Sequence, residues 1–99
     1  MKIYHLSQDI VKGYDTYSDC VVAAENEYEA RRTHPARGIF YDKDKWVIIC
    51  IDGEKMEIED DEYLTWVKST DIDKIEVTEI GEAKEGIQKR VICASYHAG

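Results

Sequence analysis

Cys20-Val21-Val22-Ala23-Ala24-Glu25-Asn26-Glu27-Tyr28-Glu29-Ala30-Arg31-Arg32-Thr33-His34-Pro35 is the stretch whose reading decides the fold. Its first five residues are an apolar run of strand length. Asn26 then stands where a helix N-cap is needed, with Glu29 three residues on, a variant of the capping box. Glu27 and Glu29 suit the positive N-terminal end of a helix dipole, while Arg31, Arg32 and His34 suit the negative C-terminal end. Pro35 bars continuation. The pattern predicts a buried strand feeding a helix of two to three turns.

Before this unit, Ile3-Tyr4-His5-Leu6 has the aromatic and β-branched content of a short strand, and Ser7-Gln8-Asp9 has turn chemistry. Residues 12 to 19, with Gly13, Asp15, Ser18 and Asp19, read as a loop. After it, Lys45 to Ile51 reads as a strand, Asp52-Gly53 as a hairpin turn, and Lys55 to Glu59 as the returning strand. Tyr63, Leu64, Trp66 and Val67 show mixed periodicity, with a strand around Trp66 favoured. Ile75, Val77 and Ile80 form one more strand before Gly81, and Val91-Ile92-Cys93-Ala94 the last, with a terminal hairpin as the simplest pairing. The sum is one domain over residues 1–99, of α+β class: a small two-layer arrangement with a mainly antiparallel sheet and one principal helix.

Hydrophobic residues make up 43% of the 99, which is enough to build one core and too few residues to build two. The longest apolar stretch, Trp46 to Ile51, is strand length, so no membrane-spanning helix is expected. Met1-Lys2-Ile3-Tyr4-His5 lacks the apolar segment of a secretory signal, which places the chain in the cytoplasm. Cys20, Cys50 and Cys93 are odd in number, far apart and set in apolar sequence, so they read as core thiols and not as disulfide halves.

The formal net charge is −8, which opposes direct binding to nucleic-acid phosphates. Residues 52 to 85 hold thirteen Asp and Glu against four Lys, so the acid is concentrated in the second half. Asp52, Glu54, Glu57, Glu59, Asp60, Asp61 and Glu62, with Tyr63 and Trp66 as apolar anchors, could present carboxylates to a basic or nucleic-acid-binding host protein in imitation of nucleic acid. Against this acidity stands a basic cluster, Arg31, Arg32, His34 and Arg37, at the end of the helix. Guanidinium groups bind phosphate through paired hydrogen bonds, and Tyr14, Tyr17 or Tyr28 could stack a base, so an alternative is a nucleotide or small-anion site, with a homo-oligomer interface as one place for it. The plainer reading of these cations is a favourable interaction with the helix end.

Other chemistry is less well supported. No Cys or His pair has metal-finger spacing, and no calcium loop surrounds Asp71-Ile72-Asp73. The isolated glycines form neither a P-loop nor a dinucleotide fingerprint, and no nucleophile signature frames a serine or cysteine. Neither a metal nor a cofactor is expected. Paired carboxylates at Asp60-Asp61 and Asp71/Asp73 keep acid-base catalysis as a third option behind a non-enzymatic binding protein.

Gly13-Tyr14-Asp15-Thr16-Tyr17-Ser18-Asp19, continuing through Val21-Val22-Ala23-Ala24-Glu25-Asn26-Glu27 to Ala30-Arg31 and His34-Pro35, resembles small proteins encoded by phages and prophages. Val77-Thr78-Glu79-Ile80-Gly81-Glu82-Ala83 and Val91-Ile92-Cys93-Ala94-Ser95-Tyr96-His97-Ala98-Gly99 look like the ending of the same family. The resemblance covers about half the chain and leaves out the middle from Gly38 to about Trp66. It implies a bacterial host cell and an accessory protein that inhibits host machinery, including nucleases of bacterial immunity, with no catalytic residues to carry over.

Overall fold

The computed structural model describes residues 1–36, 38–58 and 65–97. Two antiparallel sheets carry the fold: β1 (Lys2–Ser7), β2 (Thr16–Ala24), β6 (Glu76–Glu82) and β7 (Arg90–His97) in the order β6-β1-β2-β7, and β3 (Ile39–Asp42), β4 (Lys45–Ile49) and β5 (Lys55–Glu57) in the order β3-β4-β5. One α-helix, α1 (Glu27–Arg31), follows β2, and a 3-10 helix, Ser69–Lys74, precedes β6. The α+β class with mainly antiparallel pairing and one principal helix is therefore present, with strands dominating.

Alternation along the two central strands explains the layers. Tyr4 and Leu6 on β1 share a face with Cys20, Val22 and Ala24 on β2, because Leu6 pairs with Cys20 and Tyr4 with Val22. That face is covered by Ala30 of α1, Trp46 of β4, Trp66, Val67, and Ile72 and Ile75 at the 3-10 helix, which together form a single buried cluster. Leu6 and Val22 are wholly buried, each contributing roughly 1.5–3 kcal/mol. The Trp46 indole Nε1 donates to the Val67 carbonyl at 2.9 Å, tying the second sheet to the segment that enters the 3-10 helix.

The strand-to-helix unit forms as its sequence dictates, but the helix is shorter than two turns. The Asn26 side chain accepts the Glu29 N–H at 2.9 Å. At the other end Arg32 N–H and Thr33 N–H bond back three residues, and the Thr33 hydroxyl donates to the Glu29 carbonyl, so the orphan carbonyls are satisfied before a second turn can close. The β4–β5 hairpin also forms. Its loop is Ile51-Asp52-Gly53, with Gly53 N–H on the Cys50 carbonyl and Gly53 in the left-handed region at φ +87°, which is a type I turn followed by a bulge glycine.

Three expectations are corrected. β6 and β7 do not pair with each other: β6 lies on β1 and β7 on β2, at opposite edges. This arrangement gives both edges of the apolar strands β1 and β2 a neighbour, whereas a terminal hairpin would expose one of them. Thr16, Tyr17, Ser18 and Asp19 belong to β2 and not to a loop. Gln8 makes this possible by taking four bonds: its Nε2 donates to the Val11 and Tyr17 carbonyls, and its Oε1 accepts from Ile10 and Val11 N–H, so residues 8–17 close tightly. From Thr65 the chain bends and then enters the 3-10 helix, with no strand among the described residues around Trp66. β3 was not foreseen, because Ile39-Phe40-Tyr41-Asp42 is too short to carry an alternation signal.

Candidate anion-binding site

Past α1 the chain turns through Thr33-His34-Pro35-Ala36 toward β3, with Gly38 at φ +85°, a left-handed conformation in which a side chain would be strained. This turn, β3 and the first residues of β7 enclose a cleft of about 760 Å³. That volume falls in the range of small-molecule sites. Tyr17, Val91 and Ala94 form its floor on the four-stranded sheet, and Phe40 and Tyr41 form a wall. Arg32, Lys89 and Arg90 also line it, and among the described residues no carboxylate does.

Each polar group in the cleft has a physical reason for its state. The Arg32 guanidinium lies 3.5 Å from the Tyr28 ring centre and 5.3 Å from that of Tyr41, a cation–π placement that fixes its plane. Its Nη1 donates to the Tyr28 carbonyl at 3.0 Å, while its Nε is buried with no partner among the described residues. Lys89 Nζ meets Glu29 Oε2 at 3.0 Å, a partly exposed pair that water screens and that leaves Lys89 able to exchange partners. His34 is buried, and burial pushes its pKa down to about 3, so the ring is neutral. Its Nδ1 accepts the Ala36 N–H at 3.0 Å, which leaves the proton on Nε2 as a donor. The His34 ring meets Trp46 edge-on, centroids 5.0 Å apart, so the core positions it.

The cleft thus offers donors and cations beside aromatic surface, with no general base.

Of the basic cluster foreseen in the sequence, Arg32, His34 and Tyr17 meet in this cleft. Arg37 lies outside the described residues. Arg31 is corrected to a structural role: its Nη1 donates to the Ile72 and Ile75 carbonyls at 2.9 and 2.6 Å and its Nη2 to Glu27 at 2.8 Å, which pins the 3-10 helix to α1. Tyr14 is 80% exposed and borders a different hollow with Gln8, Lys12 and His97. Lys89, Arg90 and Phe40 were missed. The adjacent basic pair Lys89-Arg90 was a signal, but pairing the last strand with β6 would have placed it on the far side of the sheet.

The acidic surface is only partly within the described residues. Asp52, Glu54 and Glu57 are exposed on the β4–β5 hairpin, and Asp52 Oδ1 accepts the Glu54 N–H at 3.0 Å. Glu59, Asp60, Asp61, Glu62 and Tyr63 lie outside. Trp66, expected as an interface anchor, is 1% exposed and sits in the core cluster, because its large apolar surface is what covers the sheet face. The exposed apolar side chains beside the acids are instead Ile49, Ile51 and Met56. Cys20 is buried, which pushes its thiol pKa up to about 12, whereas Cys93 is exposed.

Among the described residues no three of His, Cys, Asp and Glu gather as a metal site, and no helix is long and apolar enough to cross a membrane. Comparison with family models, curated proteins and solved structures returned no match.

Proposed function

We propose that the protein binds a nucleotide-sized, phosphate-bearing anion in the cleft beside α1. One observation carries this reading: in a chain of net charge −8, a cleft of small-molecule size is lined by Arg32, Lys89 and Arg90 and, among the described residues, by no carboxylate. Phosphate oxygens suit the guanidinium forks and the His34 Nε2–H, and the base would rest against Tyr17 and Phe40. Thermal unfolding with inorganic phosphate, pyrophosphate and mononucleotides tests it. A ligand at about 100 times its Kd stabilises by roughly 2.7 kcal/mol, a shift of several degrees for a chain of this size. Melting that stays flat with every one of these at millimolar concentration rejects the reading.

A second reading rests on the β4–β5 hairpin, where exposed Ile49, Ile51 and Met56 stand beside Asp52, Glu54 and Glu57. Apolar side chains ringed by carboxylates suit a basic host protein, as expected of a phage-type inhibitor acting without catalysis. Passing bacterial lysate over the immobilised protein tests this. Salt-reversible capture of a basic protein that Ile51→Ser with Glu57→Lys abolishes supports it, and capture that survives both changes removes it.

A further inference from the structure

We propose that two copies of this chain associate through the outer edge of β7, antiparallel about a two-fold axis, giving one continuous sheet of eight strands. The reason lies in how differently the two edges of the four-stranded sheet are guarded. An unpaired edge is a template for further strands, and proteins blunt it with charge, glycine or bulges. β6 carries all three: Glu76, Glu79 and Glu82, Gly81, and an extra residue at Ile80 where its register with β1 shifts. β7 has one bulge, at Ile92, and beyond it Cys93 to His97 run without an extra residue of their own. From Val91 to His97 there is no Lys, Arg, Asp or Glu. Among the described residues no strand lies on its outer side.

Charge identifies the occupant as a second copy. Two molecules of net −8 repel, so they can meet only where carboxylates are sparse. Two β6 edges would set glutamate against glutamate, and β5 is a three-residue strand bearing Lys55 and Glu57. Of the outer strands β3, β5, β6 and β7, β7 alone offers a run of more than four residues without a Lys, Arg, Asp or Glu to set against itself. Asp15 accepts the Tyr96 hydroxyl at 3.1 Å and donates its N–H to the His97 carbonyl, so the nearby carboxylate is already engaged at the end of the strand. Two-fold pairing uses up the unguarded edge of the four-stranded sheet in each copy, while the guarded β6 edges end that sheet at eight strands. Exposed Ile92, Cys93 and Tyr96 become partly covered. A ladder of about five residues is a small interface, so the dimer is a weak one.

Sedimentation of the full chain from low concentration up to about 1 mM tests this, since a millimolar Kd populates dimer there. The mass should rise toward twice 11.5 kDa. Ser95→Lys on β7 should return it to monomer at every loading, while Thr78→Lys on the guarded edge leaves association unchanged, with both variants checked for an unaltered circular dichroism spectrum. A spin label on exposed Cys93 in a Cys50→Ser background should show strong dipolar broadening at high concentration, because paired strands lie about 5 Å apart. Monomer mass throughout, or association lost on Thr78→Lys and kept on Ser95→Lys, overturns the proposal. Neither result bears on ligand binding in the cleft, so the two proposals fail separately.

Discussion

The cleft beside α1 and the tip of the β4–β5 hairpin stand at opposite ends of the same strand and are made of opposite materials. β4 begins at Lys45 and Trp46, where the buried indole backs His34 and Tyr41, and ends at exposed Ile49 before the acidic turn. The first place gathers cations on a scaffold fixed by the core. The second displays carboxylates and apolar side chains on a two-strand projection with little beneath it. The difference teaches that a net charge of −8 describes the tip and not the cleft, and that ligand class must be read from local lining.

The largest expected effect would break the comparison altogether. Trp46→Ala removes the side chain on which both regions depend and orphans the Val67 carbonyl, so it should cost about 3–5 kcal/mol in denaturant unfolding and abolish any phosphate binding. A pair of neighbouring arginines sharpens the contrast between scaffold and site. Arg31→Ala strips the Ile72 and Ile75 carbonyls of their donor and should cost roughly 1.5–3 kcal/mol while leaving affinity in the folded fraction unchanged. Arg32→Ala should do the reverse, lowering affinity for pyrophosphate at least about tenfold, or 1.4 kcal/mol, by calorimetry, with a small change in melting.

His34 adds a pH test of the cleft's backing. Its folded-state pKa of about 3 lies below the ordinary 6.5, so between these values the unfolded chain takes up a proton that the folded chain refuses. Its contribution to stability is full above about pH 6.5 and falls as pH drops toward 3, by at most about 1.4 kcal/mol per unit. Denaturant unfolding at pH 7, 6 and 5 should show a steeper decline for the parent chain than for His34→Gln. Equal slopes would mean the ring is solvated and the cleft is not backed as described. The smallest effect belongs to the tip: Glu57→Lys should change stability by no more than about 0.5 kcal/mol and leave pyrophosphate affinity intact.

Much of the fold was legible in particular residues. Asn26 with Glu29 marked the helix start, Asp52-Gly53 the hairpin, and Ile3-Tyr4-His5-Leu6 the first strand. The pairing of the last two strands was not, because local patterning says where strands are and nothing about which neighbour satisfies an edge. That one omission hid the β7 side of the cleft. Arg32, His34 and Tyr17 could be named from the cluster at the helix end, but Lys89 and Arg90 reach them only because β7 lies beside β2. Trp66 misled for a related reason, since a tryptophan near charges reads equally well as an anchor or as core, and only the packing of the second layer onto the sheet decides. Arg31 and Arg32 are adjacent and chemically alike, and backbone geometry alone sends one to the 3-10 helix and the other to the cleft.

The most direct test of the central claim is a titration of the isotope-labelled chain with inorganic pyrophosphate, followed by amide resonances in two-dimensional NMR. Binding in the cleft should move the signals of Arg32 to Ala36 and of Lys89 to Val91 in a saturable way, and leave those of Ile49 to Glu57 in place. Unmoved spectra, or shifts that grow linearly and spread evenly over the surface lysines, would contradict it.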